Sequence, residues 1–271
     1  MRFSMVLIAA ILTVAALPAS AQIGWGASRN GNGLTININS TVPVQIQHIT
    51  GAPYSSEEND QSVQTLTDGT HLTSPSVDDG AMTYRDSMGR IRIERPMFPN
   101  RLGELNFTMV QVQDPVAGYF YVIDSVNQVV HRMQAQTVGP VRPSIPNPTS
   151  QTLENGTEIT VEPLGSSTIS GVAVVGTKTT TTYPAGAFVL STKRTLLSND
   201  RPVTTTDETW WAPSLGLILS STNSQWFGNV ATRTMQNFST AEPDPTLFKI
   251  PPGYKIVDET GGFTIKVTKQ N

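Results

Sequence analysis

Alternation with a period of two runs through most of this chain and constrains its fold more than any other feature. Leu34, Ile36 and Ile38 alternate with Thr35, Asn37 and Asn39, and Val42, Val44 and Ile46 alternate with Pro43, Gln45 and Gln47. Later, Ile91 and Ile93 alternate with Arg90, Arg92 and Glu94. Successive side chains of a strand point to opposite faces, so each run marks a strand with one buried and one solvated face. Such strands belong to antiparallel sheets. No stretch carries a comparable 3.6-residue period.

Turn chemistry separates the strands. Asp68-Gly69 divides residues 63–66 from 71–73, a hairpin signal. Gly89 closes the turn at 86–89, where a positive φ is wanted. Asp114-Pro115 with Gly118, and then residues 125–127, punctuate strands over 105–113, 119–124 and 129–136. Further strands are expected over 172–182, 203–211, 217–222 and 228–238. Threonine, which is β-branched and favours strands, supplies 19 of the 89 residues from 152 to 240. Short helical turns are expected at residues 55–60, capped by Ser55, and at 245–248. The fold expected is mostly β: a large curved antiparallel sheet, an incomplete half-barrel, with few short helices.

The chain divides on composition. Arg2, a 13-residue apolar run at 5–17, Pro18 and Ala19-Ser20-Ala21 make residues 1–21 a cleavable export signal. Residues 22–33 are Gly/Asn-rich and read as a flexible leader. Residues 34–138 form the N-terminal part of the sheet and 152–271 the C-terminal part. Between them, 139–151 is a stiff connector with prolines at 140, 143, 146 and 148. No second apolar run approaches spanning length, so an exported protein, periplasmic or extracellular, with no transmembrane segment in the mature chain is expected.

Composition also excludes. With 18 Lys+Arg against 21 Asp+Glu and 14% charged residues, the chain lacks a nucleic-acid binder's balance. With no cysteine, it has no disulfide framework, thiolate metal site or cysteine nucleophile. The three histidines, His48, His71 and His131, are not at metal-ligand spacing. Carboxylates cluster at Glu57/Glu58/Asp60, Asp78/Asp79 and Asp207/Glu208; the first two read as polar loops, and neighbours on one strand cannot face each other across a cleft. No metal, cofactor or catalytic residue is predicted.

Aromatics carry the remaining signal. Tyr119 and Tyr121 share one strand, Trp211 ends another and Trp226 sits at a turn. Core filling is one use for them. The other is an apolar pocket in a curved sheet, which makes Tyr119, Tyr121, Trp211 and Trp226 the candidate ligand-binding residues. The function expected is non-catalytic binding of an apolar or amphipathic ligand. The alternatives are an envelope-associated interaction or structural protein, and a hydrolase whose base is His48, His71 or His131.

Three sets of segments carry a resemblance. Gly51-Ala52-Pro53-Tyr54-Ser55 leads into Val63 to His71. Tyr84-Arg85-Asp86-Ser87-Met88-Gly89-Arg90 leads to Asp114-Pro115-Val116-Ala117-Gly118. Trp211-Ala212-Pro213-Ser214-Leu215-Gly216 precedes Leu247-Phe248-Lys249-Ile250-Pro251-Pro252-Gly253-Tyr254. Together they resemble secreted β-rich proteins of environmental Gram-negative bacteria. More distantly, Trp211 with Gly216-Leu217, and the 247–254 ending, are similar to the periplasmic lipoprotein-carrier superfamily of the LolA/LolB/RseB type. That resemblance implies an incomplete antiparallel barrel with helices over its open side, and a lipid or envelope protein as partner. This chain is more polar, Thr-rich and poorer in helix than those carriers.

Overall fold

A computed structural model describes residues 23–30, 33–76, 78–97, 107–139, 147–187, 189–191, 196–225 and 228–268. Strands β1 (Ile23–Asn30), β2 (Gly33–Ser40) and β3 (Val44–Gln47) come first. β4 (Tyr54–Thr65) and β5 (His71–Pro75) form a hairpin, followed by β6 (Met82–Arg85), β7 (Ile91–Met97), β8 (Phe107–Asp114), β9 (Tyr119–Asp124) and β10 (Val129–Val138). Next are β11 (Thr149–Thr152), β12 (Glu158–Ile169), β13 (Val172–Tyr183), the short pair β14 (Val189–Ser191) and β15 (Leu196–Ser198), β16 (Val203–Ala212), β17 (Leu217–Ser224) and β18 (Asn229–Ser239). A 3-10 turn (Pro245–Phe248) precedes β19 (Lys255–Asp258) and β20 (Phe263–Thr268).

The fold is mostly β, as the alternation predicts. One sheet takes 15 strands in the order β11-β12-β13-β16-β17-β18-β4-β6-β7-β8-β9-β10-β19, with β5 beside β4 and β3 beside β10. Its pairings are antiparallel except two: β10 pairs with β19 and with β3 in parallel, so the sheet is mixed at that edge. The sheet does not close into a barrel, since β11 and β19 end it on opposite sides. It must nevertheless curl. Eleven strand spacings separate β11 from β10, about 53 Å if the sheet were flat. The eleven peptide links from Val138 to Thr149 reach at most about 40 Å. Register shifts at Pro163/Gly165, Trp210/Trp211 and Gln236/Ser239 are bulges of the kind that bend strands.

Two expectations are corrected. Residues 55–60, expected as a helical turn, lie inside the 12-residue strand β4. Ser56, Glu58 and Asp60 share one face there, and pairing with β18 outweighs the local capping signal. Residues 23–30, expected as a flexible leader, form β1, paired residue by residue with β2 from Ile23↔Ser40 to Asn30↔Gly33. Trp25 and Ala27 pack against the core while Gly24, Gly26 and Ser28 face outward, so the glycines lie on the exposed side of a half-buried strand. The export signal at 1–21, most of the connector (140–146) and Trp226 lie outside the described residues.

Register sorts the core by sheet face. On one face of β8–β10, Met109, Phe120, Val122 and Met133 pack beneath the separate three-stranded sheet β1-β2-β20, against Leu34, Ile36, Ile38, Ile265 and Val267. On the other face, Val110, Val112, Tyr121, Ile123 and Val130 pack beneath Leu247, Phe248, Ile250 and Tyr254. β9 is thus covered on both sides, and Phe120 to Asp124 are all buried. Arg90 and Arg92, expected on a solvated face, instead hold the 247–254 segment: Arg92 Nη1 donates to the Leu247 carbonyl at 3.0 Å, and Arg90 lies over the Phe248 ring at 5.0 Å. A further cluster gathers Tyr54, Val174, Ala212, Leu215, Leu217 and Leu219. Much of β12, β13, β16 and β18 remains partly exposed on both faces.

Candidate functional site

Tyr119 and Tyr121, two residues apart on β9, point to the same face and meet at 6.0 Å between ring centroids. Their surroundings differ. Tyr121 is buried in the cluster under Phe248, and burial pushes its phenol pKa up, reinforced by the nearby Asp114 carboxylate. Tyr119 is half-buried and stands at the rim of that cluster. The Arg132 guanidinium covers its ring at 4.8 Å and is fixed by a two-pronged bond to Asp258, Nε at 2.6 Å and Nη2 at 2.9 Å.

Tyr119 also lines an open recess of about 490 Å³ with Pro43, Ala117, Gln134, Gln136 and Thr137. The recess lies at the sheet edge where the outer neighbour of β10 changes from β19 (beside residues 129–132) to β3 (beside 135–138). Tyr119 and Gln134 are direct cross-strand partners, and Gln136 follows Gln134 on the same face. Gln134 and Gln136 are exposed. Among the described residues the lining holds no Asp, Glu, Lys, Arg or His. On the face that carries Tyr119 it offers an aromatic ring, a proline and two amides.

Trp211 lies elsewhere. It is 8% exposed on β16, and six strands of the sheet separate β16 from β9. The structure therefore brings Tyr119 and Tyr121 together and keeps Trp211 apart. Trp226 lies outside the described residues.

Sequence reasoning missed the polar centre of the sheet. Ser56, Glu58, Thr83, Arg85, Gln111 and Gln113 are all buried on one face of β4, β6 and β8, between two apolar clusters. Arg85 donates through Nε to the Ala52 carbonyl at 2.8 Å and through Nη2 to the Leu215 carbonyl at 2.6 Å, and lies over the Tyr54 ring. No local pattern marks it as buried, because its partners come from distant sequence. Further along β4, Glu58 and Asp60 bring carboxylate oxygens within 4.8 Å of each other and of Asp78. Hard oxygen donors of this kind suit a divalent cation. Two guanidiniums already occupy them: Arg233 pairs with Glu58, and Arg95 Nε holds Asp78 at 2.6 Å while its Nη1 donates to Gln111. Burial raises the Glu58 pKa against the opposing pull of Arg233, and burial also raises that of Asp60.

Each histidine has a defined contact. His48 Nε2 lies 3.1 Å from the Met88 carbonyl, and His71 Nδ1 lies 3.1 Å from Thr65 Oγ1. His131 Nδ1 meets Glu259 at 2.7 Å while its ring stacks on Phe263 at 4.1 Å, which ties β10 to β20.

No family model matches the chain, and no curated protein matches it. Among solved structures, the chain is similar to a LolA superfamily protein from Nitrosomonas europaea, at 8% identity over 74% of this chain and 91% of that one, with a TM-score of 0.26. It is also similar to a DUF1329 family protein from Desulfovibrio piger, at 10% identity over 73% and 90%, with a TM-score of 0.17. A third is a domain from Vibrio parahaemolyticus named for outer membrane lipoprotein sorting, at 10% identity over 72% and 89%, with a TM-score of 0.15. No helix among the described residues is long and apolar enough to cross a membrane.

Proposed function

We propose that this chain is an exported, non-catalytic binding protein that holds an amphipathic ligand, a lipid or lipoprotein-like molecule of the envelope, in the recess beside Tyr119. The observation that carries this reading is the lining: an aromatic ring and proline for apolar surface, next to two exposed amides for polar groups. Such mixed lining, largely preformed on a rigid element, is how ligand sites are built. β9 supplies the rigidity, because both its faces are packed. Export rests on Arg2, the apolar run at 5–17 and Ala19-Ser20-Ala21.

Native mass spectrometry of the protein purified from an envelope fraction tests the proposal. An amphipathic adduct is expected on the wild type and should be absent from Tyr119→Ala. A protein that carries no adduct and shows no saturable binding of envelope lipid or detergent overturns the reading.

A further inference from the structure

The recess beside Tyr119 has a chemistry specific enough to name a ligand class. We infer that it recognises a saccharide ring, the polar part of the amphipathic ligand, with the ring's C–H face on Tyr119 and its hydroxyls on Gln134 and Gln136. This rests on the binding reading above.

Among the described residues the lining carries no charged group. A phosphate or carboxylate would find no cation there, since Arg132 spends Nε and Nη2 on Asp258. A purely apolar chain would use the ring and the proline and make nothing of the two exposed amides. A sugar meets both halves of the lining. Its axial C–H groups are weakly positive and suit the negative face of an aromatic ring. Its hydroxyls both donate and accept, and each glutamine amide offers one acceptor and two donors. The register enforces the arrangement: Tyr119 and Gln134 are cross-strand partners, and Gln136 lies one pleat further along. Arg132, pinned by Asp258, holds the Tyr119 ring in place from one side.

Titration calorimetry and saturation-transfer NMR test this on the purified full chain, with maltotriose, cellotriose and N-acetylated chitotriose as saccharide probes and dodecylphosphocholine as a sugar-free amphiphile. At least one trisaccharide should bind, with transfer strongest at its C–H protons. Tyr119→Ala should weaken that binding about tenfold or more, and Tyr119→Phe should leave it within about twofold. Gln134→Leu replaces an exposed side chain and should weaken it about tenfold with the thermal midpoint unchanged, which covers the case in which Tyr119→Ala fails to fold. Dodecylphosphocholine binding at Tyr119 without any trisaccharide binding overturns the saccharide inference and leaves the binding reading standing. Binding of neither overturns both. Trisaccharide binding that ignores Tyr119 and Gln134 overturns the assignment to this recess.

Discussion

A Cβ placed on Gly176 would come within 2.6 Å of Trp210 Cζ3 and 2.8 Å of Leu164 Cβ. The glycine is there because two strands press large side chains over it, Trp210 being its cross-strand partner on β16. A glycine inside a strand pattern marks such a close approach, so this constraint was readable from Val174-Val175-Gly176-Thr177, although the identity of the approaching group was not. Gly176→Ala should lower the unfolding free energy by about 1–3 kcal/mol, the usual cost of overpacking, as read from urea denaturation. Arg85 presents the opposite case. Nothing in the sequence marks an arginine as buried, and its role comes from residues 33 and 130 positions away, Ala52 and Leu215. Arg85→Met keeps the bulk and removes the donors, leaving two buried carbonyls unmet. Destabilisation of about 1–3 kcal/mol for each is expected in the same assay, and an unchanged denaturation midpoint would rule out this role for Arg85.

At the scale of elements, coverage separates the two halves of the large sheet. β9 is packed on both faces, whereas β12 and β13, apart from Ile159, Val174, Gly176 and Thr181, are partly or fully exposed on both. Amide protection follows burial and local packing. Hydrogen exchange should therefore be slowest in β8–β10 and distinctly faster in β12 and β13. Equal protection in the two regions would contradict this ranking. Phe120 is 1% exposed beneath the three-stranded sheet, and Phe120→Ala should cost about 3–5 kcal/mol. Strand identity was legible wherever alternation was strong, as in β2, β7 and β17. Coverage was not, because what lies over a strand face comes from distant sequence. Arg90 and Arg92 look solvent-facing by period, yet residues 247–254 fold over them. The recess was half-legible for the same reason. Tyr119 and Tyr121 stood out as strand aromatics, while Gln134 joins them through a register that no local pattern encodes.

At the scale of the whole molecule, β4 and β18 form the seam between the N-terminal and C-terminal parts of the sheet, in register from Asn229↔Gln64 to Gln236↔Glu57. The Glu58–Arg233 pair crosses that seam, with Asp60, Asp78 and Arg95 beside it, so the carboxylate cluster couples protonation to the junction. The sign follows from the direction of the shift. Burial holds the Glu58 pKa above its ordinary value of 4.5, so between that value and the raised one the folded chain keeps a proton that the unfolded chain has released. Folding is then favoured by acid, and this group's contribution to stability falls as pH rises through the window. Asp60, shifted the same way from 3.8, adds to the trend from a lower starting point. Glu58→Gln removes the titrating group while preserving its shape. Arg233, whose side chain is 43% exposed, can then recover hydration from solvent. The variant should show a flatter dependence of thermal midpoint on pH above 4.5 than the wild type, and equal or greater stability at the upper end. Thermal unfolding at a series of pH values reads this directly. A Glu58→Gln variant whose midpoint tracks the wild type at every pH would mean that Glu58 does not titrate within the window, and that Arg233 holds it ionised across the seam.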